Sequence, residues 1–356
     1  MASRTDLASN KAAAKSAGLH YVVEGEPGLS RVRRGRAFAY RDAKGRPVRD
    51  ARLLERIRAL VIPPAWEHVW ICARADGHIQ ATGRDARGRK QHRYHPGWTA
   101  ARHDAKYGQM IDFAEALPAI RRRVRADLKS PALSRAYVLA AVVRLLEHTL
   151  IRIGNKEYAR TNKSFGLTTL LDQHVQIRGT AVTFHFRAKS GVMQTIDVHD
   201  AELARIIKRC RAVPGEPLFQ YLGGAGARQT VNAAAVNAYL RDVTGRPFTA
   251  KNFRTWGGTL LAARAVCDLP ACMSDAAFKR NIVRAIDSVA AKLGNTRAVC
   301  RGSYIHPGVF DAYRDGVTIA DARAVPRTAH LSADEAAVLA MLKSRARHSR
   351  REKVAA

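Results

Sequence analysis

Apolar residues in this chain change their spacing once, and that change limits the possible fold more than any other feature. From Leu19 to about Trp98 they come in short alternating runs broken by turns: LHYVV, RAFAYRDAKGRPV with its Ala-Lys-Gly turn, and HVWICARADGHIQATG with Asp-Gly between two runs. Period two with turn punctuation is the pattern of half-buried strands. One helical stretch interrupts it, ARLLERIRAL over 51–60, closed by Pro63-Pro64. From about Thr99 the spacing turns helical. Leu139, Val142, Val143, Leu146, Leu150 and Ile153 recur on one face, with Gly154 as a stop. Further helices are expected over 201–211, 230–243, 250–267, 276–293 and 332–345, the last opened by the capping box Ser332-x-x-Glu335. Among them GLTTLL (166–171), TAVTFHF (180–186) and MQTIDV (193–198) read as a three-stranded meander. No internal repeat is read.

These patterns predict an α+β chain in four parts. Residues 1–18 form a flexible, frayed N-terminal segment, and 19–98 a small β-rich domain. Residues 99–330 form a mainly α-helical domain with a short three-stranded sheet, and 331–356 a C-terminal helix with a basic tail, solvated and disordered over 343–353. A length of 356 residues suits two cores, and 47% hydrophobic residues exclude a wholly disordered chain.

Charge narrows the partner. Sixty-one Lys and Arg against thirty Asp and Glu give a net +31, a self-repulsion that a polyanion relieves. No run of about 18 apolar residues exists to span a membrane, and the N-terminus lacks the apolar core of a secretory signal; an organellar presequence stays open. Five scattered cysteines (Cys72, Cys210, Cys267, Cys272, Cys300) without CxxC spacing read as reduced thiols in a cytoplasmic protein. There is no GxxxxGK[ST] loop, acidic cluster or HExxH spacing, so no cofactor and no metal is expected. GGAGA (223–227) reads as a plain loop.

Two groups of residues could carry chemistry. GRDARGRKQHRYH (83–95) packs Arg84, Arg87, Arg89, Lys90 and Arg93 around one acid, Asp85, interleaved with Gln91 and Tyr94. Cations bind phosphates, while amides and phenols reach sugars or base edges. The second group closes elements of the helical part. Arg152 ends the helix before Gly154, and Lys189 sits in the turn AKSG (188–191). Arg254 lies early in a helix capped by Thr249, with Lys251 three residues before it, and Asn295 follows Gly294 at a helix end. Tyr304 comes nine residues later. A lone tyrosine is more often core than nucleophile. Two arginines, a lysine, an amide and a tyrosine together are what phosphoryl transfer to a phenolic oxygen requires.

HIQATGRDARGRKQHRYH (78–95), LLEHTLIRIGNKEYARTNKSFGLTTL (145–170), FRAKSGV (186–192), KNFRTWG (251–257) and LGNTRAVCRGSY (293–304) resemble, in order, the motifs of a type IB DNA topoisomerase of the compact poxvirus and bacterial kind. The resemblance runs from about Leu19 to beyond Tyr304. It implies a clamp of two domains around double-stranded DNA and a monomeric enzyme associated with the nucleoid. It also implies relaxation of supercoils through a 3′-phosphotyrosyl link, without ATP or metal. By position it makes Tyr304 the nucleophile, and Arg152, Arg254 and Asn295 the ligands of the non-bridging oxygens. Lys189 becomes the general acid and Lys251 a second donor. Asn295 departs from the histidine of poxvirus and nuclear members and matches some bacterial ones. Gln80, Thr82, Arg84, Arg87, Lys90, Gln91, Arg93, Tyr94 and Tyr158 are expected against DNA. A tyrosine recombinase fits less well, since those enzymes place His where this chain has Lys251. A non-enzymatic DNA-binding protein explains the charge but not the ordered set.

Overall fold

In a computed structural model, residues 4–23, 25–35, 37–131, 133–212, 215–270, 274–321 and 330–355 are described. The chain divides into two compact units, residues 1–108 and 109–356.

The first unit opens with helix α1 (Arg4–Ser16), followed by β1 (Gly28–Arg34), β2 (Ala37–Arg41), α2 (Ala51–Ala59), β3 (Glu67–Cys72), β4 (Ile79–Arg84) and β5 (Lys90–Tyr94). The five strands form one antiparallel sheet in the order β2-β1-β3-β4-β5. Leu29, Val69, Ile71 and Ala81 point from one face into a core closed by Ile57 of α2. Asp50 caps α2 by accepting from Leu53 N–H at 2.8 Å. The opposite face carries Ser30, Trp70, Thr82 and His92 in register across four strands. The frayed segment expected at the N-terminus is instead α1. Its Ala-Lys composition favours a helix. Ala14 is fully buried, Arg102 reaches Asn10 at 3.2 Å, and Gly18 at φ 68° ends the turn. A repeat escaped the sequence reading as well: Arg41–Arg46 (RDAKGR) recurs as Arg84–Arg89 (RDARGR).

Helix α3 (Pro96–Asp127) carries the chain into the second unit. There α4 (Arg135–Thr149) is buried almost all round, from Tyr137 to Leu146, and forms the axis of the core. After it come α5 (Lys156–Asn162), β6 (Val175–Arg178), β7 (Ala181–Arg187), β8 (Met193–His199) and α6 (Ala201–Cys210). A two-stranded ribbon, β9 (Gln220–Leu222) and β10 (Arg228–Thr230), follows, with GGAGA as its connecting loop. The chain then runs through α7 (Ala233–Thr244), α8 (Ala250–Cys267), α9 (Asp275–Leu293), α10 (Arg297–Ser303), α11 (Pro307–Arg314) and α12 (Ala333–Ala355). Phe113 of α3 meets Phe248 and Phe253 edge-on at 5.3 and 5.0 Å.

Three expectations for this unit are corrected. The helix read through Ile153 stops at Thr149, with Leu150 left-handed at φ 54°. Residues 166–171 hold a 3₁₀ turn, Leu167–Thr169, and the first strand of the meander is Val175–Arg178. The N–H groups of Leu167 and Thr168 are taken by the carbonyls of Arg152 and Ile153, at 2.8 Å each, and so cannot pair with a strand. The basic tail continues α12 as helix rather than coil. Its capping box is formed: Ser332 N–H donates to Glu335 at 2.8 Å and Glu335 N–H to Ser332 Oγ at 3.2 Å.

Candidate active site

Helix α8 is the frame on which the site is built. Its capping box places Asn252 Oδ1 2.9 Å from Thr249 N–H, and Arg254 follows in the next turn. One turn further stand Gly257 and Gly258. Two glycines inside a helix each cost about 1 kcal/mol against alanine, so packing must repay them. A Cβ on Gly257 would lie 2.6 Å from the Leu150 side chain, and one on Gly258 2.6 Å from the Tyr304 carbonyl oxygen. Leu150 and Tyr304 therefore reach the backbone of α8 side by side.

Arg254, only 4% exposed, fills the space they leave. Its guanidinium donates to the Leu150 carbonyl, and to the Leu293 carbonyl at 2.9 Å. Its carbon lies 5.0 Å from the centre of the Tyr304 ring, within cation–π range. This explains the early end of α4: the left-handed Leu150 turns its carbonyl to Arg254.

Arg152 arrives from the other side. Gly154, at φ 94°, and Gly166 let two backbones touch, a Cβ on Gly166 falling 2.5 Å from the Arg152 carbonyl. From that mount Arg152 donates to Asn295 Oδ1, and to the Gly294 carbonyl at 3.3 Å. Gly294 ends α9 in a left-handed turn, as the sequence implied. Leu293, Gly294 and Asn295 thus supply consecutive acceptors to the two arginines.

Among the described residues neither arginine pairs with a carboxylate. Burial, and then the charge of Arg152, hold the Arg254 guanidinium below its usual value. Two cations brought together, one of them buried, without an acid between them form a place for an anion. Arg254 Nε and Asn295 Nδ2 are both buried with no hydrogen-bond partner. The neighbour of the Asn295 amide is the Cys300 thiol, raised mainly by burial and a weak acceptor.

Lys189 sits in the 3₁₀ turn between β7 and β8, exposed as its turn position implied. The turn is tied to the Arg152 mount because Phe165 N–H donates to the Arg187 carbonyl at 2.8 Å. A Cβ on Gly294 would strike Gln194 of β8, so the same hairpin also abuts the turn that carries Asn295. Lys251 is exposed on the first turn of α8 and makes no polar side-chain contact with a described residue. The sequence reading missed Leu150, Gly257, Gly258 and Gln194. The glycine pair in an otherwise apolar helix was the available signal.

The residues expected against DNA divide. Thr82, Arg84, Lys90 and Tyr94 lie on the uncovered sheet face, with Tyr94 stacked on His92 at 5.6 Å, and Arg87 is at the tip of the β4–β5 turn. Tyr158 is 58% exposed on α5. Gln80 is not at the surface: it is 3% exposed, accepts from Arg56 at 2.8 Å and donates to the Gly77 carbonyl at 2.8 Å. Arg93 turns toward the core face and donates to the Val61 carbonyl at 2.7 Å. Gln91 is half-buried and bonded to Asp85 at 2.9 Å.

Cys72, Cys210, Cys267 and Cys300 are free thiols, and burial pushes Cys210 up to about 12; Cys272 lies outside the described residues. Among the described residues no group of three His, Cys, Asp or Glu could hold a metal ion, and no helix is long and apolar enough to cross a membrane.

Residues 95–324 match the family model described as eukaryotic DNA topoisomerase I, catalytic core, and residues 37–85 that of the bacterial DNA topoisomerase IB N-terminal domain. With this fold and this site, the chain belongs to the type IB DNA topoisomerase family of enzymes. A relative, DNA topoisomerase 1B of Acanthamoeba polyphaga mimivirus, is 30% identical over 295 residues, which cover 81% of this chain and 88% of that protein.

Proposed function

We propose that this protein relaxes supercoiled duplex DNA by cutting and resealing one strand through Tyr304. The phenolic oxygen, releasing its proton to water, attacks a backbone phosphorus and the bond to the 5′-oxygen breaks. The departing oxygen takes a proton from Lys189, leaving a 3′-phosphotyrosyl link and a free 5′-hydroxyl. The cut strand swivels, and the hydroxyl attacks back to expel Tyr304. One phosphodiester is exchanged for another, so the cycle needs no ATP and no metal.

The observation that carries this reading is the buried Arg254 guanidinium over the Tyr304 ring, with Arg152 beside it and no carboxylate between. Such a pair stabilises the negative charge that develops on non-bridging oxygens during transfer. Asn295 adds a neutral donor through Nδ2. Lys189 suits the acid role because an ammonium gives up its proton far more readily than a guanidinium. Lys251 is the second donor in that relay. Thr82, Arg84, Arg87, Lys90, Tyr94 and Tyr158 are the contacts to DNA.

Plasmid relaxation in excess EDTA without ATP tests the proposal. Complete relaxation supports it. A plasmid left supercoiled at equimolar protein refutes it, and linked recombinant products in place of relaxed circles would assign the site to recombination.

A further inference from the structure

The two RDA(K/R)GR segments fold into the same object. One follows β2 and the other joins β4 to β5. In each, one aspartate oxygen accepts from the backbone N–H groups two and four residues on: Lys44 and Arg46 at 2.9 Å, Arg87 and Arg89 at 3.0 Å. The other oxygen takes the last arginine at 2.9 Å in both turns. The aspartate N–H reaches the last arginine's carbonyl at 2.9 and 3.0 Å, and the glycine N–H returns to the aspartate carbonyl at 2.9 and 2.8 Å. The first arginine donates to the glycine carbonyl, Arg41 at 3.4 Å and Arg84 at 2.8 Å. Both glycines are left-handed, at φ 77° and 71°. The Arg46 backbone bond above all holds Asp42 below its usual value, and the Arg89 guanidinium holds Asp85 at about 2.

Turn chemistry explains the aspartate, which caps, and the glycine, which takes the left-handed position. It places no demand on the residue before the glycine. Yet both turns put a long cation there, Lys44 and Arg87, whose side chains are exposed and make no polar contact with a described residue. Each turn consumes its acid internally and presents one cation on a rigid mount.

Register fixes their separation. Arg41 shares a row with Ser30, Trp70 and Thr82, so the turns lie beyond opposite ends of the sheet. Three strand spacings of about 4.8 Å and four residues of about 3.3 Å give a diagonal of about 20 Å between Asp42 and Asp85, where the two turns begin, with Lys44 and Arg87 standing further out at the tips. A major groove about 12 Å wide, with phosphates on both rims, fits between them when both side chains reach inward. We infer that the Lys44 turn is a second backbone-phosphate contact equivalent to the Arg87 turn, the two gripping opposite rims of a duplex groove with the open sheet face between. This rests on the proposed function, which makes duplex DNA the partner.

The test is equilibrium binding of the full chain to a short duplex across a salt series. Each phosphate contact contributes about 0.9 to the slope of log K against log salt. Lys44→Ala and Arg87→Ala should each lower the slope by about 0.9, and the double variant by about 1.8. Lys44→Arg should keep the wild-type slope, as should Lys208→Ala on α6. A fall with Arg87→Ala but none with Lys44→Ala overturns the second contact and leaves the function standing. A fall with Lys208→Ala as large as with Lys44→Ala overturns it too, because net charge alone is then responsible. A wild-type chain that does not bind duplex refutes the function itself.

Discussion

Single side chains decide the chemistry, and their roles separate by what each can donate. Lys189 is exposed on a turn, so removing it should leave binding nearly intact while slowing cleavage about 10²–10⁴-fold, the usual contribution of a general acid. A substrate with sulfur in place of the bridging 5′-oxygen leaves as a thiolate without protonation and should restore the rate of Lys189→Ala. An equal defect on both substrates would remove Lys189 from the acid role. Asn295 is held by Arg152 through Oδ1, which aims Nδ2 away as a free donor. Asn295→Ala should lose about 10²–10³ in single-turnover cleavage, as loss of an oxyanion-hole donor does. Asn295→His, which can accept on one ring nitrogen and donate from the other, should lose much less. Asn295→Asp keeps the bond to Arg152 but sets a negative charge beside the phosphate, and should be the slowest of the three. Wild-type cleavage by the Ala variant would reduce Asn295 to a helix-end residue.

Elements decide where those side chains stand. In α8, Gly258→Ala places a Cβ 2.6 Å from the Tyr304 carbonyl, against backbone that cannot swing aside. Cleavage should fall by at least ten-fold while the melting temperature moves little, since alanine favours the helix; unchanged cleavage would show that Tyr304 does not need this contact. Behind α8, Arg121 of α3 joins Glu147 of α4 at 2.6 Å and Glu335 of α12 at 2.7 Å, and Trp256 leans on Glu335 at 3.4 Å. Arg121→Ala leaves the buried Glu335 without its ion-pair partner and Glu147 with Arg144 alone, at 3.6 Å, and should cost about 3–5 kcal/mol in denaturant unfolding. Burial alone would raise Glu335, but Arg121 outweighs it and holds the carboxyl below its usual 4.5. The stability from Glu335 is therefore complete above that value and drains away as pH falls through the lower folded one. Glu335→Gln should flatten the acid limb of the stability profile, and an unchanged limb would contradict this. Much of the element order was legible, because α6, α8 and α9 repeat apolar residues at helical spacing and Gly294 marks an end. The end of α4 was not: Leu150 stops that helix for the sake of Arg254, which is 104 residues away. The burial of Gln80 and Arg93 was hidden for the same reason, since it depends on Arg56 and Val61 from other elements.

At the scale of the whole molecule, a chain of net +31 sets cations where an anion can use them: exposed on the turns and open sheet face of the first unit, and in the second the buried Arg254 with the half-buried Arg152 beside Tyr304. The composition made a polyanion the expected partner, whereas the convergence of Arg152, Arg254, Asn295 and Tyr304 became visible only when α4, α8 and α9 were packed together. The account stands or falls on one bond, that between Tyr304 and a DNA 3′-phosphate. Wild-type protein is mixed with end-labelled duplex and quenched with SDS, and the trapped complex is digested to identify the modified peptide. The account predicts label on Tyr304 through a 3′-phosphate, a free 5′-hydroxyl on the downstream piece of the cut strand, and no complex from Tyr304→Phe despite near-normal DNA binding. A covalent complex that persists in Tyr304→Phe, or label on any other residue, would contradict it.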